Sequence, residues 1–176
     1  PVDSLSYVAA KYLQQMVAFL VGVAFSVAYF LVVSRLTNLG FTPGFGWSVL
    51  LSVFLASCVV SFGIFLSAIT RRVIVSVILF VVAVLFFLGF WLAHGIVMSL
   101  PGERLTDLLV YVRIILDNTD RVVRWISPLG YFSRGNAALQ MHDAGQYVLS
   151  LASSAAYTAV MLALSVWAFN RTGVRK

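Results

Sequence analysis

Four long runs of apolar residues, each free of Asp, Glu, Lys and Arg, dominate the pattern along the chain. They cover Met16–Val33, Trp47–Ile69, Val73–Leu92 (uncharged onward to Gly102) and Tyr147–Phe169. Because a helix rises about 1.5 Å per residue, runs of about 18–23 residues cross the roughly 30 Å hydrocarbon core of a bilayer. The pattern predicts an all-α polytopic membrane protein with a single transmembrane domain over 1–176 and spans at 16–33, 47–69, 73–94 and 147–169.

The third run is too long for one crossing. A single helix from Val73 to Gly102 would extend about 45 Å, well beyond the hydrocarbon core. We therefore expect the helix to break near His94-Gly95, with Ile96–Leu100 dipping back at the outer leaflet.

The stretch before the first span, residues 1–15, has a different pattern. Asp3 or Ser4 can cap a helix, and the apolar residues that follow recur at helical spacing: Leu5, Val8, Ala9, Tyr12 and Leu13. This predicts a short amphipathic helix on the cytoplasmic face. Such a helix either rests on lipid or forms a docking surface for a soluble partner, and the pattern alone favours neither.

Residues 101–146 form a second amphipathic region, on the outer side. Arg113–Asp117–Arg121 and Asp120–Arg124 are spaced for ion pairs four residues apart, opposite an apolar stripe. The stripe consists of Leu105, Leu108, Leu109, Val112, Ile115, Leu116, Val123 and Ile126. We expect one or two helices that form an outer hairpin and end at Ser127-Pro128-Leu129-Gly130. A polar patch, Ser133-Arg134-Gly135-Asn136, then precedes the last span.

Composition and charge agree with a membrane protein. Apolar residues make up 61% of the chain and charged residues 10%, against about 25% charged in soluble domains. The net charge of +6 would suggest nucleic acid in a soluble protein, but here the basic residues lie at span ends, where they face lipid headgroups. We expect the lipid bilayer as partner and no nucleic acid.

Basic residues also predict the orientation. An even number of spans puts both ends of the chain on one side, and the Arg71-Arg72 pair in a very short turn marks that side as cytoplasmic. The tail over 170–176 adds Arg171, Arg175 and Lys176. We therefore predict a multi-pass protein of the cell membrane with both termini cytoplasmic.

Small residues recur every fourth position in several spans. Ala18, Gly22 and Ser26 share one face of the first span, where another backbone could approach closely. Similar rows are Gly63 and Ser67, the hydroxyl row Ser150, Ser154 and Thr158, and the alanine row Ala155, Ala159 and Ala163. These rows are typical of packing within one chain, but they would equally suit a dimer face or a substrate path.

Catalytic and metal-binding motifs are missing from the sequence. It has no phosphate-binding Gly-x-x-x-x-Gly-Lys-Ser/Thr loop, no hydrolase motif and one cysteine, Cys58, which we interpret as a packing residue. His94 and His142 belong to different segments, which argues against haem or a metal site. No run contains a carboxylate for ion coupling. We predict that the chain is not itself an enzyme, binds no cofactor and receives its energy from a partner.

The order of these parts resembles the last two-thirds of the permease subunit of type-2 ATP-binding-cassette (ABC) transporters, the export-type family with six spans. Pro1-Val2-Asp3-Ser4-Leu5-Ser6-Tyr7-Val8-Ala9-Ala10-Lys11 is similar to the family's coupling helix, although Ser6 replaces a common acid and Ala10 a glycine. Three further segments are similar: Phe65–Arg72, Ile126–Phe132 and Arg134-Gly135 with Asp143 and Tyr147. The family's first two spans are missing, so we expect either a chain that starts mid-protein or a naturally short subunit.

The resemblance implies a function and partners. The chain would be the permease subunit of an ATP-driven transporter, with ATP and Mg²⁺ bound by separate ATPase subunits and a second permease copy or paralogue completing the pathway. The ATPase docking residues would be Val2, Asp3, Leu5, Tyr7, Lys11, Arg71 and Arg72, and the dimer or packing face would be Ala18, Gly22 and Ser26. The apolar spans favour a hydrophobic or amphipathic substrate. A non-transporting anchor or assembly subunit is the main alternative, and an ion-coupled carrier is a weaker one.

Overall fold

The computed structural model describes residues 3–38, 40, 44–70, 72–100 and 107–172, and these residues form six helices. Val2, Arg71, residues 101–106 and the last part of the tail, 173–176, lie outside the described residues. The helices are α1 (Ser4–Thr37), α2 (Phe45–Thr70), α3 (Val73–Ser99), α4 (Asp107–Ile126), α5 (Pro128–Met141) and α6 (Ala144–Thr172).

Four of these helices, α1, α2, α3 and α6, are long and apolar enough to cross a membrane. They contain the four predicted spans and extend each of them by two or more residues. The prediction of an all-α polytopic membrane protein is confirmed. The perimeter agrees with it, because large apolar side chains such as Phe25, Leu85 and Phe86 are mostly exposed on the outside of the bundle.

The two ends of the bundle can be named by their connections. The turn side is the end where α2 passes into α3 at Thr70–Arg72, and the hairpin side is the end that carries the α5–α6 turn. The first turn of α1 is also on the turn side, because Ser4 Oγ donates a hydrogen bond to Asn170 Oδ1 of α6 at 2.6 Å. Next to this bond, the rings of Tyr7 and Phe169 meet edge to face.

Helix α1 is continuous, so the predicted amphipathic helix over 1–15 forms the beginning of α1 and not a separate element. Its 34 residues would measure about 51 Å, clearly more than the hydrocarbon core. No Gly or Pro interrupts the sequence between Ser4 and Met16, so nothing breaks the backbone hydrogen-bond ladder there. Asp3 occupies the N-cap position, but its side chain makes no capping hydrogen bond.

Helix α3 runs unbroken through His94 and Gly95 to Ser99, so the predicted break there is wrong. A glycine inside a helix costs only about 1 kcal/mol relative to alanine, too little to end a helix that has other support. That support comes from α4, whose Asp120 carboxylate lies 3.7 Å from the His94 ring. The last turns of α3 therefore pack against α4.

Helices α4 and α5 confirm that the region after α3 is helical, but its details differ from the prediction. Helix α4 ends at Ile126, at the predicted segment Ser127-Pro128-Leu129-Gly130, but a further helix follows, with Ser127 as the N-cap of α5 and Pro128 as its first residue. Proline suits that position because the first helical N–H has no partner inside the helix. The polar patch over 133–136 lies inside α5.

Helix α5 does not lie at the outer surface but re-enters the bundle. Tyr131, near its start, meets the ring of Tyr157 in the middle of α6 at 6.1 Å, while Ala138 packs with Tyr147 at the start of α6. The two helices are therefore antiparallel, and the beginning of α5 lies about 20 Å along α6 from their connecting turn. The small core of the bundle lies here, where Leu51 of α2 joins Ala138 and Tyr147.

The sharp turn between α5 and α6 has a clear local cause. His142 adopts the left-handed conformation with φ 57°, and the N–H of Asp143 returns to the carbonyl of Ala138 at 2.9 Å. Asp143 then caps α6, because its Oδ1 accepts the N–H of Gln146 at 3.1 Å.

Helix α4 turns one carboxylate toward the protein and part of its apolar stripe outward. Asp120 is buried, whereas Leu108, Tyr111 and Ile115 are exposed. Two of the predicted ion pairs are confirmed: Asp117 pairs with Arg121 at 3.3 Å, and Asp120 pairs with Arg124. Arg121 and Arg124 keep 76% and 50% of their side chains exposed, so the outer surface of α4 carries charged and apolar residues together.

Candidate functional site

A cleft of about 550 Å³ opens on the turn side between α1, α2, α3 and α6. Its polar groups are the Lys11 ammonium, the Gln15 amide and the hydroxyls of Ser67 and Ser76, set among apolar walls formed by Val59, Val60, Ile64, Val77 and Phe80. Within the described part of the chain, no carboxylate pairs with Lys11. The cleft thus offers one positive charge and several hydrogen-bonding groups beside an apolar surface.

The cleft continues directly into the small-residue face of α1. Tyr7, Lys11 and Gln15 line the cleft, and Ala18, Gly22 and Ser26 follow at spacings of three or four residues, so all six share one side of the helix. Ala18, Gly22 and Ser26 are exposed, and a Cβ added to Gly22 would meet no atom within 4 Å. This face therefore does not pack against the other described residues of the chain.

The predicted docking residues that the structure describes lie on the turn side. Asp3, Lys11 and Arg72 are exposed, and Leu5 has 59% of its surface free. Tyr7 differs from the others, because its ring packs on Phe169 and lines the cleft. Arg72 precedes Ser76 of the cleft by one helical turn. The two remaining predicted docking residues, Val2 and Arg71, are outside the described residues.

The hydroxyl row of α6 packs against α2 and is buried. Ser154 and Thr158 face Ser57 and Cys58: Cys58 Sγ donates to the carbonyl of Ser154 at 3.3 Å, and the hydroxyls of Ser57 and Thr158 lie 3.0 Å apart. Tyr12 of α1 joins them, with its hydroxyl 2.6 Å from Ser57 Oγ. This row packs within the chain, as does Cys58, whereas the parallel alanine row on α6 is exposed.

Arg134 and Tyr131 stabilise the bend between α4 and α5. Arg134 Nη2 donates to the carbonyl of Arg124 at 3.2 Å, and its guanidinium lies 4.2 Å above the Trp125 ring. Tyr131 donates its hydroxyl hydrogen to the carbonyl of Trp125. Gly130 makes the bend possible, because a Cβ there would lie 2.5 Å from the backbone oxygen of Arg124.

Sequence reasoning missed the contact between the hairpin and α3. A cavity of about 260 Å³ lies between α3, α4 and α5, and His94, Asp120, Arg124 and Arg134 line it together with Phe87 and Phe90. The sequence places no Asp or Glu within any of the four apolar runs. The re-entrant hairpin nevertheless carries one carboxylate, Asp120, against α3. A signal was present, since Asp120 shares a helix face with the apolar positions Leu109, Val112 and Leu116.

Four spans, an apolar perimeter and a re-entrant hairpin define a polytopic integral membrane protein. The family model described as "ABC-2 family transporter protein" matches residues 1–174 of the 176-residue chain. The chain belongs to the ABC-2 transporter family. It is a multi-pass membrane protein with a permease role in transport. No curated protein and no solved structure gives a significant match.

Proposed function

We propose that this chain is the membrane-spanning permease subunit of an ATP-driven transporter. ATP and Mg²⁺ bind to separate ATPase subunits, and this chain itself hydrolyses no nucleotide. The observation that carries the proposal is the continuity of α1, which extends from the exposed Leu5 at the turn side into the first span without a break. A partner that moves the beginning of α1 therefore moves the span as well.

The basic residues support a cytoplasmic turn side. Arg72 and Arg171 are exposed at that end of the bundle, and positive charge near span ends is typical of the cytoplasmic face. ATP is available on this side, so the exposed beginning of α1 lies where an ATPase can bind it. We place the protein in the cell membrane with the turn side in the cytoplasm.

The surface of this chain that binds the ATPase consists of Leu5, an apolar anchor, with charged residues around it. Leu5 projects freely, whereas Asp3, Lys11 and Arg72 lie at exposed positions nearby on the turn side. In protein interfaces, a few buried anchors supply most of the binding free energy and exposed rim charges supply little. Tyr7 contributes differently, because its contact with Phe169 couples the docking surface to α6.

A second permease copy or paralogue packs against the exposed small-residue face of α1. Ala18, Gly22 and Ser26 leave room for another backbone, and the two-fold dimer is the commonest form of oligomer. Because this face continues the turn-side cleft, the pathway runs along it between the two subunits.

The cleft favours an amphipathic substrate. Lys11 supplies a charge, Gln15 and Ser76 supply hydrogen bonds, and Val60 and Phe80 supply apolar walls. A highly charged solute would lose its hydration beside such walls with little to replace it. A volume of about 550 Å³ lies within the range of sites that hold small molecules.

The proposal is tested by purifying the chain from its native membrane and reconstituting the complex in liposomes. We expect an ATPase subunit to co-purify, and we expect ATP hydrolysis to rise at least about twofold with amphiphiles that carry one negative charge. Uncharged hydrophobic compounds and small inorganic ions serve as comparisons. A stable complex without any ATPase would instead favour the anchor or assembly subunit, and stimulation by the ions alone would overturn the amphipathic substrate.

Gly22→Leu tests the dimer face. The leucine has room within its own chain, because nothing lies within 4 Å of the position, but it would separate two closely packed backbones. We expect dimerisation to weaken by about tenfold, the equivalent of roughly 1.4 kcal/mol, as measured by light scattering during size exclusion in detergent. Gly89→Leu on α3, which has the same free space, is the matched control. Normal dimerisation of Gly22→Leu would show that the face is not the interface.

A further inference from the structure

His94 has an unsatisfied ring nitrogen in a buried position. Its Nε2 is buried and lacks a hydrogen-bond partner, and the nearest carboxylate oxygen, Asp120 Oδ2, is 3.7 Å away. A buried polar atom without a partner is costly, so such an atom in a native structure calls for an explanation. The distance is slightly too long for a hydrogen bond but short enough for a small movement to form one.

The charged groups around His94 come from two helices of the hairpin. On α4, Asp120 faces the ring and also pairs with Arg124; on α5, Arg134 lines the same cavity. On α3 itself, the neighbouring ring is Phe90, stacked on the imidazole at 6.4 Å between centroids. Asp120 is therefore the group within the described residues that can receive a hydrogen bond from His94.

His94 lies toward the hairpin-side end of α3. It lies 21 residues beyond Val73, about 30 Å from the turn-side end of α3. That distance corresponds to the far boundary of the hydrocarbon core. Its side chain keeps 16% of its surface exposed, although Nε2 itself is buried.

We propose that His94 and Asp120 form a proton-binding site that fastens the re-entrant hairpin to α3. Imidazole gains its charge between about pH 8 and pH 5. A proton from the hairpin-side solution gives His94 a positive charge and an N–H donor at Nε2, which draws the Asp120 carboxylate to hydrogen-bond distance. When the proton returns to solution, the attraction is lost and the hairpin is held by packing alone. The contact is thus tightest when His94 carries the proton and loosens when the proton leaves.

The test measures the position of the hairpin directly. Spin labels are placed at Leu92→Cys on α3 and Val122→Cys on α4, both exposed, in a Cys58→Ser background of the assembled protein in liposomes. We expect the distance distribution to be narrow at about pH 5.5 and at least about twofold broader at about pH 8. An unchanged distribution in this labelled protein overturns the proposal. The measurement needs no ATP and does not depend on the proposed function.

The second histidine provides a matched control. His142 is exposed in the α5–α6 turn with a positive φ, and asparagine tolerates that conformation, so His142→Asn should keep the full pH response. His94→Gln should remove the response. Asp120→Asn should remove the narrowing at low pH and provides a second variant if His94→Gln assembles poorly. A pH response that survives in either variant, or that disappears in His142→Asn, contradicts the assignment.

Discussion

Gly130→Ala is expected to lower the thermal stability of the protein sharply. The added Cβ would lie 2.5 Å from the backbone oxygen of Arg124 and 2.8 Å from its Cα, and backbone atoms cannot move aside as a flexible side chain can. Alanine gains about 1 kcal/mol over glycine in a helix, but forcing atoms into a packed site costs roughly 1–3 kcal/mol or more. The clash should prevail, so the melting temperature in detergent should fall by several degrees.

Gly89→Ala is the control for this effect. Gly89 lies in the middle of α3, and a Cβ there meets nothing within 4 Å. We expect an unchanged or slightly higher melting temperature, because only the helix propensity changes. If Gly130→Ala were as stable as Gly89→Ala, the tight bend between α4 and α5 would not exist as described.

Leu5→Asp is expected to uncouple the transporter while leaving its spans folded. Leu5 is 59% exposed, so the chain itself loses little packing, but a charge replaces the apolar anchor of the docking surface. Loss of such an anchor typically costs about 2 kcal/mol or more, which weakens binding of the ATPase subunit by about 30-fold. Transport should fall accordingly, and the affinity can be measured with purified ATPase on permease in nanodiscs.

Leu36→Asp makes the same chemical change at the other end of the same helix. Leu36 is 79% exposed and lies on the hairpin side, away from the proposed docking surface. It should therefore leave the affinity for the ATPase unchanged. Equal affinities for Leu5→Asp and wild type would show that the beginning of α1 is not the docking anchor.

The spans could be predicted because a bilayer requires each crossing segment to be long, apolar and uncharged, and these properties can be read directly from a short stretch of sequence. The second predicted span, 47–69, differs from α2 by two residues at the start and one at the end. Every backbone group inside a bilayer must find its partner within the helix, so an uncharged apolar run of sufficient length leaves little choice. The hydroxyl row on α6 was also visible in sequence, as was its spacing for packing.

The hairpin could not be predicted in the same way. An amphipathic pattern gives the two faces of α4 but not the direction in which each face points, and the expectation of a surface helix assumed that the charged face would meet water. In the structure, Arg121 stays exposed, but Asp120 turns inward to His94 and Ile115 turns outward. The re-entrant α5 approaches Leu51 closely at Gly135, where a Cβ would lie 2.6 Å from Leu51 Cδ1. That contact joins residues far apart in sequence.

The polar groups between α2 and α6 connect the two helices toward one end and not toward the other. Cross-helix bonds occur at Trp47–Tyr147, at the hairpin-side end of α2, and around Cys58, at its middle. Toward the turn side, Ser61 and Ser165 donate to carbonyls of their own helices at 2.9 and 2.7 Å. Splaying the turn-side ends of α2 and α6 therefore leaves the bonds of these two hydroxyls intact, whereas splaying the hairpin-side ends breaks the cross-helix bonds. The two helices are therefore held together toward the hairpin side and can separate more easily at their turn-side ends.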